Sequence, residues 1–265
     1  DSMRNYKEKI SYYCVQNEQV GAMAAEAYTR TTGRMGVQMV TSGPGATNMI
    51  TGIAGAWYDC IPAVYLSGQV RTWELTNPDE LLQRGFQEID IVNIVKPITK
   101  YAVTITKPDD IRYEFEKAYY FAREGRPGPV LVDIPKDVQA EEYDFTYPEE
   151  PITLPGENPI QNDFKETDLK KAAEMIASAS KPVILAGHGI LISGASKEVI
   201  GISEKSDIPL SWTLLGSGGV PASHPLNMGM MGMHGEFAAN NAIHNADLLI
   251  ACGMRFDDRV TGNTK

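Results

Sequence analysis

At 265 residues, with 43% apolar and 22% charged side chains, the chain is long enough for two globular domains of ordinary size. Lys and Arg total 24 against 34 Asp and Glu, and the net charge of -10 disfavours nucleic acid and anionic membranes as partners, because both select basic surfaces. No apolar run approaches the roughly 18 residues that span a bilayer, and no signal peptide is evident.

Taken in order, residues 1–9 are polar and read as a helix end and loop, and ISYYCV (10–15) reads as a short strand. Glu18 follows at the seam with an Ala-rich helix from Gln19 to about Thr32, with Gly21 near its start and Gly33 as its C′ stop. Residues 36–41 read as a buried strand. The loop Ser42-Gly43-Pro44-Gly45-Ala46-Thr47-Asn48 then opens onto a helix over 46–58, whose Gly52 and Gly55 suit tight packing. AVYLSG (63–68) is the next strand, and this alternation with short turns argues for a mainly parallel sheet. Residues 70–85 turn polar, as in a flexible loop beside a site. Phe86-Gln87-Glu88-Ile89-Asp90, a short apolar helix and KPITKYAVTI follow. Pro108-Asp109-Asp110 starts a helix that runs to Gly125; 126–129 is a turn, and VLVDIP is a last buried strand ending at Pro135.

Residues 141–163 carry several Pro and many acids without periodicity, the composition of a linker. Beyond it come a helix over 167–180, a strand over 182–187, and a Gly187-His188-Gly189 turn leading to a helix over 195–206. Strand-like runs at 209–214 and LLIACG (248–253) complete the pattern. The expected fold is α/β: two three-layer α/β domains with mainly parallel sheets, 1–140 and 164–265, the second Rossmann-like. Asp1 is not a start methionine and Lys265 falls within a polar stretch, so the chain reads as a fragment.

Cys14, Cys60 and Cys252 lie far apart and read as buried free thiols of a reducing cytoplasm. The four histidines form no HxxH or HExxH pattern, so no metal site is expected from this chain's own side chains.

Each candidate feature has an ordinary structural use. A Glu at a helix start complements the dipole, Gly-Pro-Gly makes turns, Met-rich loops fill gaps, and a lone His234 serves packing. Their order carries more. Asn17-Glu18-Gln19, TSGPGATN (41–48) and Ile61-Pro62-Ala63-Val64-Tyr65-Leu66-Ser67-Gly68-Gln69-Val70 together resemble the pyrimidine-binding domain of thiamine-diphosphate-dependent enzymes, within them the acetolactate synthase group. Met230-Met231-Gly232-Met233-His234-Gly235, Ala239-Asn240, Asn245-Ala246-Asp247 and residues 255–263 (RFDDRVTGN) are similar to that group's middle domain, where FAD binds.

The resemblance implies that Glu18 is the catalytic acid, a buried carboxylate hydrogen-bonded to the cofactor's pyrimidine N1′. It sets Pro44 and Asn48 against the aminopyrimidine and Gln87 near the active site. It also implies flavin contacts at Arg126, Gly187, Gly189, His234, Gly235 and Arg255, with the glycine-turn N–H groups and an Arg meeting the pyrophosphate. Lys136, Asp258 and Arg259 would line a substrate channel. Asn17 stands where the family usually has His, which alters fine positioning. The family's GDG…N motif for Mg²⁺ and the diphosphate belongs to a third domain outside this sequence, so the chain alone is expected to be inactive.

The implied reaction decarboxylates pyruvate on thiamine diphosphate and joins the two-carbon unit to a second 2-oxo acid, in branched-chain amino acid biosynthesis. Implied partners are 2-oxo acids, a second copy of the catalytic subunit and a regulatory subunit, in the cytoplasm or an organelle stroma or matrix. Two alternatives stay open: another thiamine-diphosphate-dependent 2-oxo acid decarboxylase or lyase, and a non-catalytic flavin- or nucleotide-binding paralogue.

Overall fold

A computed structural model describes residues 5–76, 79, 81–142 and 165–262. The chain divides into two units, Asp1–Ile160 and Gln161–Lys265.

The first unit is built on strands β1 (Gly36–Val40), β2 (Ala63–Gln69), β3 (Tyr101–Thr104) and β4 (Pro129–Pro135) in the order β1-β2-β4-β3, all paired in parallel. Period-2 alternation sends successive side chains to opposite faces. Tyr65 and Leu131 therefore pack with Ala22, Ile53 and Ile91 from helices Glu18–Thr32, Ile50–Tyr58 and Ile91–Val95, and with Met49 just before the second, on one face. Val64, Val130 and Val132 pack with Ala118 and Ala122 of helix Ile111–Arg123 on the other. The result is three layers, α/β/α. Gly52 lets helix Ile50–Tyr58 lie directly on Ala22, where a Cβ would collide with the Ala22 methyl.

Parallel strands put all their carboxyl ends on one edge. That edge carries the 41–48 turn, the segment after Gln69, and Lys136. Helix Glu18–Thr32 ends at Gly33 (φ 68°), close to the start of β1, so its first residue, Glu18, lies at the same carboxyl edge. In open α/β sheets that edge is where ligands bind.

The second unit has strands β5 (Pro182–Ala186), β6 (Leu210–Trp212), β7 (Asn227–Met230) and β8 (Leu248–Cys252) in the order β7-β6-β5-β8, again all parallel. Ile184 and Ala186 pack against Val199 of helix Ser196–Ser206, while Val183 and Leu185 pack against Met231. No helix among the described residues is long and apolar enough to cross a membrane.

Several sequence expectations are corrected. Residues 10–15 form no strand; they are exposed, with Tyr13 91% accessible, because aromatic and branched residues make a strand only where a ladder partner exists. β1 is not buried throughout. It is an edge strand whose Val37 and Met39 are 59% and 62% exposed. The helix expected from 46 starts at Pro44, a residue suited to a first helical turn, and is divided at Met49 into Pro44–Asn48 and Ile50–Tyr58. Helix Gly189–Ile192, strand β7 and helix Phe237–His244 went unseen, since Gly, Met and Asn weaken periodicity.

Described residues of the 70–85 segment are tied to the fold: Asp137 accepts from the Thr72 N–H and hydroxyl, and Glu88 from Thr76 and the Arg84 and Gly85 N–H groups. None of the three thiols is buried; Cys14 is exposed and the other two are half-buried. Residues 143–163 of the expected linker lie outside the described residues.

Candidate functional site

Asn17 caps helix Glu18–Thr32, its side chain accepting from the Gln19 N–H at 2.9 Å. Glu18 is thereby the first helical residue, where a negative charge meets the positive end of the helix. Gln38, on the helix-facing side of β1, donates from Nε2 to the Glu18 carbonyl oxygen at 2.6 Å. Gly21 leaves room for that amide. Backbone and cap together fix where the Glu18 side chain starts.

The carboxylate then reaches the next turn. Asn48 Nδ2 donates to Glu18 Oε2 at 2.9 Å, and this bond, with a backbone contribution, holds the acid below the usual carboxylate range. Glu18 is half-buried rather than fully buried in this chain, and its lowered pKa keeps the carboxylate ionised at neutral pH. Its other oxygen, Oε1, faces Gly45: a Cβ there would stand 3.7 Å from it.

Gly43 has φ 60° and ψ -119°, a conformation open to glycine alone, and caps the Pro44–Asn48 turn. Gln87, itself at φ 64°, packs its backbone on Gly43; a Cβ at 43 would lie 2.7 Å from the Gln87 carbonyl oxygen. Glu18, the 43–45 turn, Asn48 and Gln87 thus meet at one edge although 69 positions separate the first from the last. The Cβ positions of Gly43 and Gly45 are filled by Gln87 and by Thr41 Cγ2, so these glycines let the turn pack closely beside the Glu18 carboxylate. A carboxylate held there can accept a hydrogen bond from a protonated ring nitrogen.

Lys136 is exposed at the same carboxyl edge, just after β4. Arg126 is not with it. It precedes β4 at the amino edge, with Nε 2.8 Å from Cys60 Sγ, and the seven-residue strand between them spans about 20 Å.

In the second unit the glycine turn behaves differently from expectation. The Gly187 N–H donates to the Cys252 carbonyl (2.8 Å) and the Gly189 N–H to that of Gly253 (2.7 Å). A Cβ at either glycine would run into Gly253. These glycines serve a backbone crossing between the loops after β5 and β8, and their N–H groups are spent on it, which corrects their expected role as pyrophosphate donors. The 230–235 loop joins the final helix: Met233 N–H donates to the Arg259 carbonyl at 2.7 Å, and Asn240 makes reciprocal 2.9 Å bonds with the Gly232 backbone. His234, Gly235, Asp258 and Arg259 are accordingly brought together, with Arg255 exposed and 3.8 Å from Asp257.

Residues 1–94 match the family described as "Thiamine pyrophosphate enzyme, N-terminal TPP binding domain", and 169–265 match "Thiamine pyrophosphate enzyme, central domain". The chain belongs to the thiamine pyrophosphate enzymes. It is 45% identical over 262 residues to a probable acetolactate synthase large subunit of Methanocaldococcus jannaschii, covering 98% of this chain and 43% of that protein. The acetolactate synthase large subunit of Corynebacterium glutamicum is 44% identical (96% and 40% covered). The isozyme 3 large subunit of Escherichia coli is 41% identical (96% and 43% covered). The chain spans less than half the length of these curated relatives. In a thiamine pyrophosphate enzyme, the Glu18 edge lies within the matched cofactor-binding region.

Gln38, Gln69 and Asp133 escaped the sequence reading. Each is a buried polar residue inside an apolar strand run, and that contrast was the available signal.

Proposed function

We propose that this chain contributes the pyrimidine-binding domain and part of the middle domain of an acetolactate synthase catalytic subunit. Such an enzyme decarboxylates pyruvate on thiamine diphosphate and condenses the two-carbon unit with a second 2-oxo acid. The observation that carries this reading is the Glu18–Asn48 pair beside the close-packed Gly43–Gly45 turn, in a chain 41–45% identical to proteins named for that activity.

Thiamine diphosphate, when bound, would supply an acidic thiazolium C–H beside its own aminopyrimidine base. Glu18 is ionised, so its Oε1 can accept a hydrogen bond from the protonated pyrimidine N1′ and hold that proton. Asn48 fixes the other oxygen, Pro44 and the flanking glycines shape the wall against the ring, and Gln87 closes the edge. Lys136 offers a cation to 2-oxo acid carboxylates at the same edge.

Mg²⁺ and the diphosphate fall to a domain outside this chain. FAD is assigned to the second unit through His234, Gly235 and Arg255, with Asp258 and Arg259 toward the substrate channel; the Gly187 and Gly189 N–H groups do not fit the donor role. Relatives named large subunits support a regulatory small subunit, and an edge this open supports a second copy completing the site. The cytoplasm, or an organelle stroma or matrix, is the expected location.

The test is acetolactate formation from pyruvate, with thiamine diphosphate, Mg²⁺ and FAD, by this chain within its complete reading frame. Glu18→Gln should lose about two to four orders of magnitude in kcat, the range of an essential proton-holding group. Pyruvate consumed without acetolactate would move the assignment to a sister decarboxylase or lyase. Full turnover by Glu18→Gln would remove Glu18 from the mechanism.

A further inference from the structure

Asp133 is 1% exposed at the carboxyl end of β4, between Ser67 of β2 and Thr104 of β3 in the sheet register. It follows Val130-Leu131-Val132, where another apolar residue would avoid the desolvation cost of a buried carboxylate. Its oxygens are fully engaged. Oδ1 accepts from the Ser67 hydroxyl at 2.6 Å, and Oδ2 accepts from Gln69 Nε2 at 3.0 Å and the Thr104 hydroxyl at 3.1 Å.

Gln69, 6% exposed, passes the interaction on. Its Nε2 also donates to the Ile89 carbonyl at 2.8 Å, while its Oε1 accepts from the Val70 N–H at 3.0 Å. The amide has one workable orientation. Reversed, it would set its oxygen against both the Asp133 carboxylate and the Ile89 carbonyl. Ile89 ends the turn that carries Gln87 at φ 64° against Gly43, and Glu88 gathers the other side of the turn through the Arg84 and Gly85 N–H groups.

We propose that Asp133 is a positioning residue that acts through Gln69: it orients the Gln69 amide so that Ile89, and with it Gln87, is held against the Gly43 turn at the cofactor edge. The functional half rests on the acetolactate synthase reading, in which Gln87 borders the reacting centre. The clamp itself does not depend on that reading.

Two variants break the chain at different links: Asp133→Ala removes the orienting acceptor, and Gln69→Met removes the amide while keeping the length. Asp133→Asn is the conservative control, since its carbonyl can still face Gln69 while its NH2 turns to the Ser67 oxygen. In the protein within its complete reading frame, hydrogen exchange at 85–90 should speed about tenfold in the Ala and Met variants and stay near parental in the Asn variant, with β6 unchanged. Exchange at 85–90 that matches the parent in both variants overturns the clamp, whether or not the protein makes acetolactate. If Asp133→Ala does not fold, Gln69→Met decides.

Turnover supplies the second arm. Asp133→Ala and Gln69→Met should each lower kcat/KM for pyruvate about tenfold in the parent, and less than about twofold once Gln87 is already Ala, because the side chain whose placement the clamp serves is then gone. Equal losses in both backgrounds would make Asp133 merely structural and overturn the positioning role. Gln87→Ala without effect on turnover would overturn it too. A parent that makes no acetolactate counts against the proposed function, and the exchange result still judges the clamp.

Discussion

Replacing Gly43 with alanine separates two costs that the structure puts in one place. The backbone at 43 holds φ 60° and ψ -119°, outside the regions open to L-residues, which costs about 1–3 kcal/mol for any side chain. The new Cβ would also stand 2.7 Å from the Gln87 carbonyl oxygen and 2.9 Å from the Gln87 Cβ, so backbone at 87 must give way, for a further 1–3 kcal/mol, roughly, by analogy with overpacked cores. The sum is about 2–6 kcal/mol.

Gly33 supplies the control. It has φ 68° but nothing within 4 Å of its Cβ position, so Gly33→Ala carries only the left-handed penalty of about 1–2 kcal/mol. Hydrogen exchange at the central amides of β2 reads the opening free energy of the first unit in both variants. Gly43→Ala should cost more than Gly33→Ala, and it alone should displace 85–90 and weaken thiamine diphosphate binding. Equal costs, with cofactor affinity intact, would refute the packing of Gln87 on Gly43.

Asn48→Ala removes the donor that lowers the Glu18 pKa; the carboxyl should titrate closer to its ordinary range, read by NMR on carboxyl-labelled Glu, and an unmoved titration would show that Asn48 does not bond it. Burial pushes Asp133 up to about 6 against an ordinary 3.8, partly offset by Ser67, Gln69 and Thr104. Between those values the folded state keeps a proton that the unfolded state has released, so this residue's contribution is fully present below about pH 4 and is lost as pH rises to about 6. Across that window the loss amounts to about 3 kcal/mol. Asp133→Asn should remove that slope in urea unfolding of the first unit, seen as variant minus parent because Glu88 and Asp137, with lowered pKa values, slope the opposite way. Gly187→Ala should destabilise the second unit by roughly 1–3 kcal/mol in the same assay, since its Cβ would meet Gly253 and Met254; a neutral change would mean that the crossing loops are loose.

Local chemistry made much of the fold legible. The Ala-rich helix stopped by Gly33, the strand of residues 63–69, the Pro-Asp-Asp start before helix Ile111–Arg123 and the VLVDIP strand are all present, because each joins a clear period to a clear terminator. Strand β7 stayed hidden because Asn227-Met228-Gly229-Met230 has no β-branched residue, and its place at the sheet edge comes from pairing with β6. Residues 10–15 failed in the opposite sense, since propensity alone supplies no ladder.

The candidate site divides along the same line. Sequence by itself determined the family words, the acid at a helix start, the glycine turn meant for close approach and the two-part α/β plan, since these depend on residue type and short spacing. Only the tertiary structure decided which of those words meet. It brought Gln87 onto Gly43 across 44 positions and sent Arg126 and Lys136 to opposite ends of one strand. It spent the Gly187 and Gly189 N–H groups on a backbone crossing, and it wired Asp133 through Gln69 to Ile89. Parallel pairing is the physical reason: it gathers the carboxyl ends of strands far apart in sequence onto one edge, and strand order, which no local pattern encodes, sets the neighbours there.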